Sequence, residues 1–170
     1  MWKPEPSEYT EYYANKYICL VPEGDILDIL EEQLESVTKL LDGIGEEKGN
    51  YRYGEGKWSI KEVMGHLNDE ERQFAGNMFK ISRGDQGPHP GIDENVYVEL
   101  GNFDNRTLKS ISDEFRFLRM SNLVMLKGMT GEMLTSRGLA DGHELTVRAI
   151  PYIMTGHVMH HINVIMERYL

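Results

Sequence analysis

The chain has a single cysteine, Cys19, and no cluster of basic residues. One thiol excludes an internal disulfide framework and fits a reducing compartment. Lysine and arginine number 18 against 28 acidic residues, giving a formal net charge of −10, and the basic residues are scattered singly. A nucleic-acid partner needs Lys and Arg gathered to neutralise phosphates, so that class is excluded. Gly-rich phosphate loops, Cys-x-x-Cys pairs and Gly-x-Ser-x-Gly elbows are all missing, which removes the common nucleotide, redox and serine-hydrolase signatures. The opening Met1-Trp2-Lys3-Pro4-Glu5 lacks the basic-then-apolar order of a secretory signal, so the expected location is the cytoplasm.

What is present is ordinary in bulk: 170 residues, 40% of them hydrophobic, with a mean hydropathy of −0.47. That length predicts one soluble domain over residues 1–170, with a core large enough to need no staples. One stretch stands out. Between Arg148 and Glu167 lie 18 residues without Asp, Glu, Lys or Arg, about the length of a short membrane span. It carries His157, His160, His161, Asn163, Thr155, Pro151 and Gly156, too polar for hydrocarbon. The run is therefore expected to be an interior segment, with no membrane partner.

Residues 1–24 are rich in Tyr, Pro and Glu and predict an irregular arm, with a helical turn around Glu8 to Lys16. Asp25 is a candidate N-cap for an amphipathic helix. Ile26, Ile29, Leu30, Leu34, Val37, Leu40 and Leu41 recur at three- and four-residue steps before Gly43 and Gly45 end it. Ser59 and Glu62 have the spacing of a capping box, and Trp58 with Val63 that of a hydrophobic staple. The helix they open should run to about Ile81, followed by a loop with Gly84, Gly87, Pro88, Pro90 and Gly91. A third helix is expected from roughly Arg106 to Lys127, with Leu108, Ile111, Phe115, Leu118, Met125 and Leu126 inward. A small extended excursion with an Asp141-Gly142 turn follows over 132–145, and Thr146 caps a last helix through Arg168. Four long helices joined by long loops predict an all-α four-helix bundle.

Each helical residue advances about 100°, so His161 lies about 40° from His157 and both rings project from one face a turn apart. Two imidazoles so placed can share a metal ion. His160 lies about 60° to the other side, as a neighbour or wall of such a site. His66 shares its helix face with Glu62, Glu70, Gln73 and Asn77, at the border of core and polar stripe. Three imidazoles on two helices would leave a metal an open position, as catalytic sites do. An isolated His-x-x-x-His pair also arises by chance, and spacing alone does not bring His66 to the pair. The remaining candidates read blandly. His89 is expected to be solvated and His143 to lie at the surface or a pocket rim. Cys19 is expected to be a buried inert thiol, and Asp69-Glu70-Glu71 a solvated run in which only Glu70 shares the His66 face. The ten methionines read as core filler.

Two segments together resemble the DinB-like family. One is Gly56-Lys57-Trp58-Ser59-Ile60-Lys61-Glu62-Val63-Met64-Gly65-His66-Leu67, with Ser82-Arg83-Gly84-Asp85 beyond it. The other runs from Thr146-Val147-Arg148-Ala149-Ile150 into Gly156-His157-Val158-Met159-His160-His161-Ile162. Tyr12-Tyr13, Tyr17-Ile18 and Val21-Pro22 extend the likeness to the arm. The resemblance implies a four-helix bundle in which His66, His157 and His161 ligate a divalent metal, zinc or nickel first and manganese or iron next. It also implies a homodimer. Characterised members of the family include bacillithiol-using thiol transferases and a mycothiol-dependent maleylpyruvate isomerase, while others are described as metal-dependent hydrolases. The chain departs from close relatives at Asn77, where Arg is frequent, and at Val158, where Glu is frequent.

Two function classes follow. The first is an enzyme, a thiol S-transferase or a hydrolase, taking a small-molecule electrophile and a low-molecular-weight thiol or water. In it His160 and Glu70 are candidates for acid–base work. The second is a non-enzymatic dimeric module stiffened by its metal.

Overall fold

The long helices begin where a short polar side chain takes up an orphan amide. In the computed structural model, which describes residues 2–170, Asp25 accepts the Leu27 amide at 2.8 Å and opens α2 (Ile26–Asp42). The capping box forms as its spacing predicts. Ser59 Oγ accepts the Glu62 amide at 3.1 Å while the Glu62 carboxylate accepts the Ser59 amide at 2.7 Å, opening α4 (Ile60–Ile81). Thr107 caps α6 (Leu108–Lys127), two residues beyond the expected start. α8 starts only at Ala149 and runs to Arg168, so its N-cap is Arg148 and not the foreseen Thr146, although Thr146 Oγ1 still accepts the Ala149 amide at 3.2 Å. Four shorter helices complete the set among the described residues: α1 (Glu11–Lys16), α3 (Glu46–Gly49), α5 (Glu94–Leu100) and α7 (Gly131–Thr135). The excursion is a hairpin of β1 (Arg137–Ala140) and β2 (His143–Thr146). Its turn places Asp141 and Gly142 at φ of 50° and 74°, the positive values that a two-residue hairpin loop demands.

The four long helices form a bundle in which α2 and α4 each pack against both α6 and α8. The core is divided into two apolar clusters. One holds Ile26, Ile29 and Leu30 from α2, Met78 and Ile81 from α4, Leu123 and Leu126 from α6, and Ala149 to Met154 from α8. The other holds Val37 and Leu41, Met64 and Leu67, Leu108 to Phe115, and Val158 with Ile165. Read along each helix, α2 and α8 run from the first cluster to the second, while α4 and α6 run from the second to the first. Thus α4 and α6 are neighbours and parallel. The chain leaving α4 must travel back along the bundle before α6 can begin, which accounts for the long segment 82–107.

A polar layer lies between the clusters. Arg119, fully buried, donates from Nε to Glu71 at 3.1 Å and from Nη1 to Gln33 at 2.9 Å. Asn122 donates to the other Glu71 oxygen at 2.8 Å, and Gln33 reaches the Thr155 carbonyl at 3.0 Å. Glu71 is therefore a buried ion-pair partner and not part of a solvated run: an arginine one helix away supplies the charge that its burial requires.

The N-terminal arm is ordered by α8 and the hairpin. Glu8 accepts hydrogen bonds from Thr146 Oγ1 at 2.9 Å and from Arg148, and so ties the arm to the start of the last helix. Burial pushes the Glu8 carboxyl up, but these bonds outweigh it and hold the group below its ordinary value. His143 is half-buried, bonded through Nδ1 to Thr10 Oγ1 at 3.1 Å and stacked on Tyr12 at 5.0 Å. Two expectations are overturned here. His89 is buried, since its backbone joins the hairpin edge through Leu139 and its Nε2 meets the Asp85 carbonyl at 3.1 Å. Cys19 is exposed, because the 3-10 turn Ile18–Leu20 buries Ile18 and turns the thiol outward.

No helix is long and apolar enough to cross a membrane, among the described residues.

Candidate metal centre

Each of the two most buried histidines follows a glycine. On α4, a side chain at Gly65 would overlap the Phe103 ring, so its absence lets the turn Phe103–Asn105 press onto the helix beside His66. On α8, a side chain at Gly156 would overlap the Tyr17 carbonyl, so its absence lets the arm press onto the helix beside His157. The result is burial of both rings at the seam of α4 and α8, with His66 1% and His157 4% exposed. His161, one turn along α8, is partly exposed.

The three side chains converge. His66 Nε2 lies 3.1 Å from His157 Nε2, and one nitrogen from each of His66, His157 and His161 falls within 4.8 Å of the others. The ring centroids are 4.6 to 5.0 Å apart. Tyr17 meets His157 edge-on at 5.2 Å and Trp58 covers His66 at 5.1 Å. Burial pushes the His66 imidazole down to about 4, with Lys16 adding a smaller push. Burial and then the neighbouring His66, His160 and Lys16 push His161 down to about 3. His157 lies well below its ordinary value, from burial first and then its three histidine neighbours. All three are therefore neutral at pH 7, the state in which imidazole ligates a metal. Tetrahedral ligation with metal–nitrogen bonds of about 2.0–2.1 Å separates the nitrogens by roughly 3.3 Å, so the cluster fits a divalent ion in donor type, protonation and spacing.

The two remaining candidates lie on different sides of the cluster. Glu70 lines a cavity of about 130 Å³ that ends at His157, with the arm's tyrosines, Asn77 and Asp141 around it. It makes no hydrogen bond or ion pair to any of the three histidines. Burial, followed by the charges of Asp141, Glu94 and Asp69, pushes its carboxyl up to about 7. His160 packs edge-on against His161 at 5.0 Å and Tyr17 at 6.2 Å. With His161 it opens onto a second cleft lined by Tyr53, Trp58, Asn95 and Tyr169.

The residues that sequence reasoning missed come from outside the bundle. Tyr13, Lys16, Tyr17, Glu94 and Asp141 all line the first cavity. Lys16 donates to Tyr12 Oη at 2.9 Å and sits over the Tyr12 and Tyr17 rings at 5.1 and 5.0 Å. The one sequence signal for them was the spacing Tyr12-Tyr13…Tyr17 in the arm. Nothing local tied Asp141 or Glu94 to the histidines.

Residues 29–165 match the DinB superfamily. The chain belongs to the DinB superfamily. No curated protein matches it in sequence. Among solved structures it is similar to YfiT from Bacillus subtilis, described as "a probable metal-dependent hydrolase with an unusual four-helix bundle topology". The identity there is 15% and the TM-score 0.73, over 97% of this chain and 92% of that one. It is also similar to a mycothiol-dependent maleylpyruvate isomerase, at 11% identity and a TM-score of 0.70. That match covers 86% of this chain but only 62% of the isomerase. At such identities the likeness is one of fold.

Proposed function

We propose that this DinB superfamily chain is a metal-dependent enzyme of the thiol S-transferase type, with His66, His157 and His161 as the ligands. The observation that carries the reading is the convergence of three neutral imidazole nitrogens within 4.8 Å, with His157 open to one cavity and His161 to a second cleft. Three protein ligands leave a further coordination position free, as in catalytic rather than structural sites. A divalent ion held there supplies a Lewis acid that lowers the pKa of a thiol or a water.

The chain's own groups do the rest. Burial of His66 and His157 keeps bulk water and protons from competing for the nitrogens. Tyr17 packs edge-on against His157 and Trp58 packs at a tilt against His66, which limits how the two rings can turn. Glu70, with its carboxyl near 7, can take or return a proton at the cavity side. His160 can do so at the second cleft. In the transfer, the thiol sulfur forms a bond to the electrophilic carbon, the thiol proton passes to one of these groups, and the leaving group departs with a proton returned. Openings on two sides of the histidines suit a reaction that brings together two small molecules, a thiol and an electrophile.

The second reading is hydrolysis, with water as nucleophile. It is favoured by the YfiT likeness, which covers nearly the whole of both chains. Cobalt-substituted protein titrated with a low-molecular-weight thiol separates the two. A new sulfur-to-metal charge-transfer band supports transfer, whereas an unchanged spectrum supports hydrolysis. Untagged protein that purifies without stoichiometric divalent metal, and binds none on addition, overturns both.

A further inference from the structure

The cavity that ends at His157 is lined by three carboxylates, Glu70, Glu94 and Asp141, and by one cation, Lys16. None of the three carboxylates has a hydrogen-bonding or ion-pairing side chain among the described residues. Lys16 donates to Tyr12 and lies over two tyrosine rings, and its single charge does not balance Glu94 and Asp141, so the wall is net negative even with Glu70 half-protonated. A second observation is independent of that charge. Asn77 is only 6% exposed and Tyr13 only 5%, yet neither the Asn77 side-chain amide nor the Tyr13 hydroxyl makes a hydrogen bond among the described residues, and both line this cavity. Neither group is among the polar atoms sealed away from solvent; both open onto the cavity, where a ligand can satisfy them.

We propose that this cavity binds the ammonium group of a small primary-amine ligand, held between Glu70, Glu94 and Asp141 and hydrogen-bonded to Asn77 and Tyr13. The proposal deepens the enzyme reading of the same site and rests on it only for what happens at the ligand's other end, near His157. An ammonium supplies three donors and no acceptor, matching a wall of carboxylate, amide and phenol oxygens. The faces of the arm's tyrosines add cation–π attraction. An anionic head group finds only Lys16. The volume, about 130 Å³, is close to the roughly 150 Å³ of a cavity that takes a benzene-sized molecule, so the fitting group has about six to eight non-hydrogen atoms.

Benzylamine, benzyl alcohol and benzoate share one ring and differ in charge. They are titrated calorimetrically into the full chain as purified, and again after chelation. Benzylamine is expected to bind at least ten times more tightly than benzyl alcohol, with benzoate weakest. In the double variant Asp141→Asn, Glu94→Gln the preference is expected to fall below threefold while benzyl alcohol is unchanged. Both positions are exposed, and an unaltered melting curve confirms that the fold is kept. Equal affinities in the purified protein, a benzoate preference, or an amine preference that survives the double variant overturn the proposal. An amine preference retained in protein that binds no metal upholds it and overturns only the metal reading.

Discussion

His66 Nε2 and His157 Nε2 approach to 3.1 Å across the seam of two helices that are antiparallel and 91 residues apart in sequence. With both rings neutral, one nitrogen donates to the other. Such a contact joins two groups whose lone pairs would otherwise face each other unpaired. A divalent ion would replace that hydrogen bond with two ligand bonds. Replacing either histidine by alanine is therefore expected to cut the metal content of untagged protein at least tenfold, with His161→Ala intermediate because that ring is the most exposed of the three. Inductively coupled plasma analysis of each variant reads this directly.

Acid sensitivity of the metal-free protein follows from the same rings. An unfolded histidine takes a proton near 6.5, whereas folded His66 holds out to about 4 and His161 to about 3. The unfolded state thus binds more protons over that interval, and stability falls as the pH drops from about 6.5 toward 4. His66 alone is expected to cost roughly 3 kcal/mol by pH 4. Denaturant melts at pH 7, 5.5 and 4.5 should show the loss, and His66→Gln should blunt it.

Glu70 has the opposite slope. Its folded carboxyl titrates near 7 against an ordinary 4.5, so the folded state holds a proton that the unfolded state has released. Its contribution is full below 4.5 and is lost as the pH rises through 7. Glu70→Gln keeps the shape and removes the charge. It should raise the melting temperature at pH 8 by at least ~2 °C more than at pH 5. Equal gains at both values would mean that the carboxyl is not held near 7.

The buried pair Arg119–Glu71 should be the most sensitive polar contact in the bundle. Glu71→Ala leaves a fully buried guanidinium with Gln33 as its remaining hydrogen-bond partner among the described residues and no counter-charge, and about 3–5 kcal/mol of stability should be lost. A double-mutant cycle with Arg119→Met should recover part of it, because the orphaned charge is then gone.

Glycine 156 offers a test of how the arm is held. Gly156→Ala forces the methyl against the Tyr17 carbonyl and should free the arm, seen as faster limited proteolysis around residues 12–20 and weaker metal retention. Gly76→Ala on α4 meets nothing within 4 Å and should stabilise by roughly 0.5–1 kcal/mol through helix propensity alone. If the two variants behave alike, close approach at Gly156 is not what orders the arm.

The features legible in the sequence were those written in local chemistry. The Ser59–Glu62 capping box, the Asp25 cap and the Asp141-Gly142 turn each specify a backbone event within a few residues, and each formed. The face shared by His157 and His161 follows from helical pitch. His66 reached them only through the fold, and the family resemblance supplied that link where spacing could not. The misreadings share a cause. Glu71 looked solvated because its partner, Arg119, is 48 residues away. His89 looked solvated because the hairpin edge that buries it is contributed by residues 137–140. Cys19 looked buried because its apolar neighbours are, although a 3-10 turn sends it the other way. The short helix α5, inside a loop rich in Gly and Pro, had only Asp93 to announce it.

Because α4 and α6 run side by side in the same direction, the chain must make a return journey between them, and that journey brings Glu94 to the cavity that His157 lines and Asn95 to the cleft that His160 and His161 line. The walls of the first cavity are drawn largely from this return segment, the arm and the hairpin tip, while the three histidines stand on the bundle itself. The molecule thus divides its labour. The helical frame fixes where the histidines stand, and the peripheral segments supply most of the wall while staying anchored in the core through Tyr13 and Tyr17 of the arm, Leu145 of the hairpin and Phe103 of the return segment.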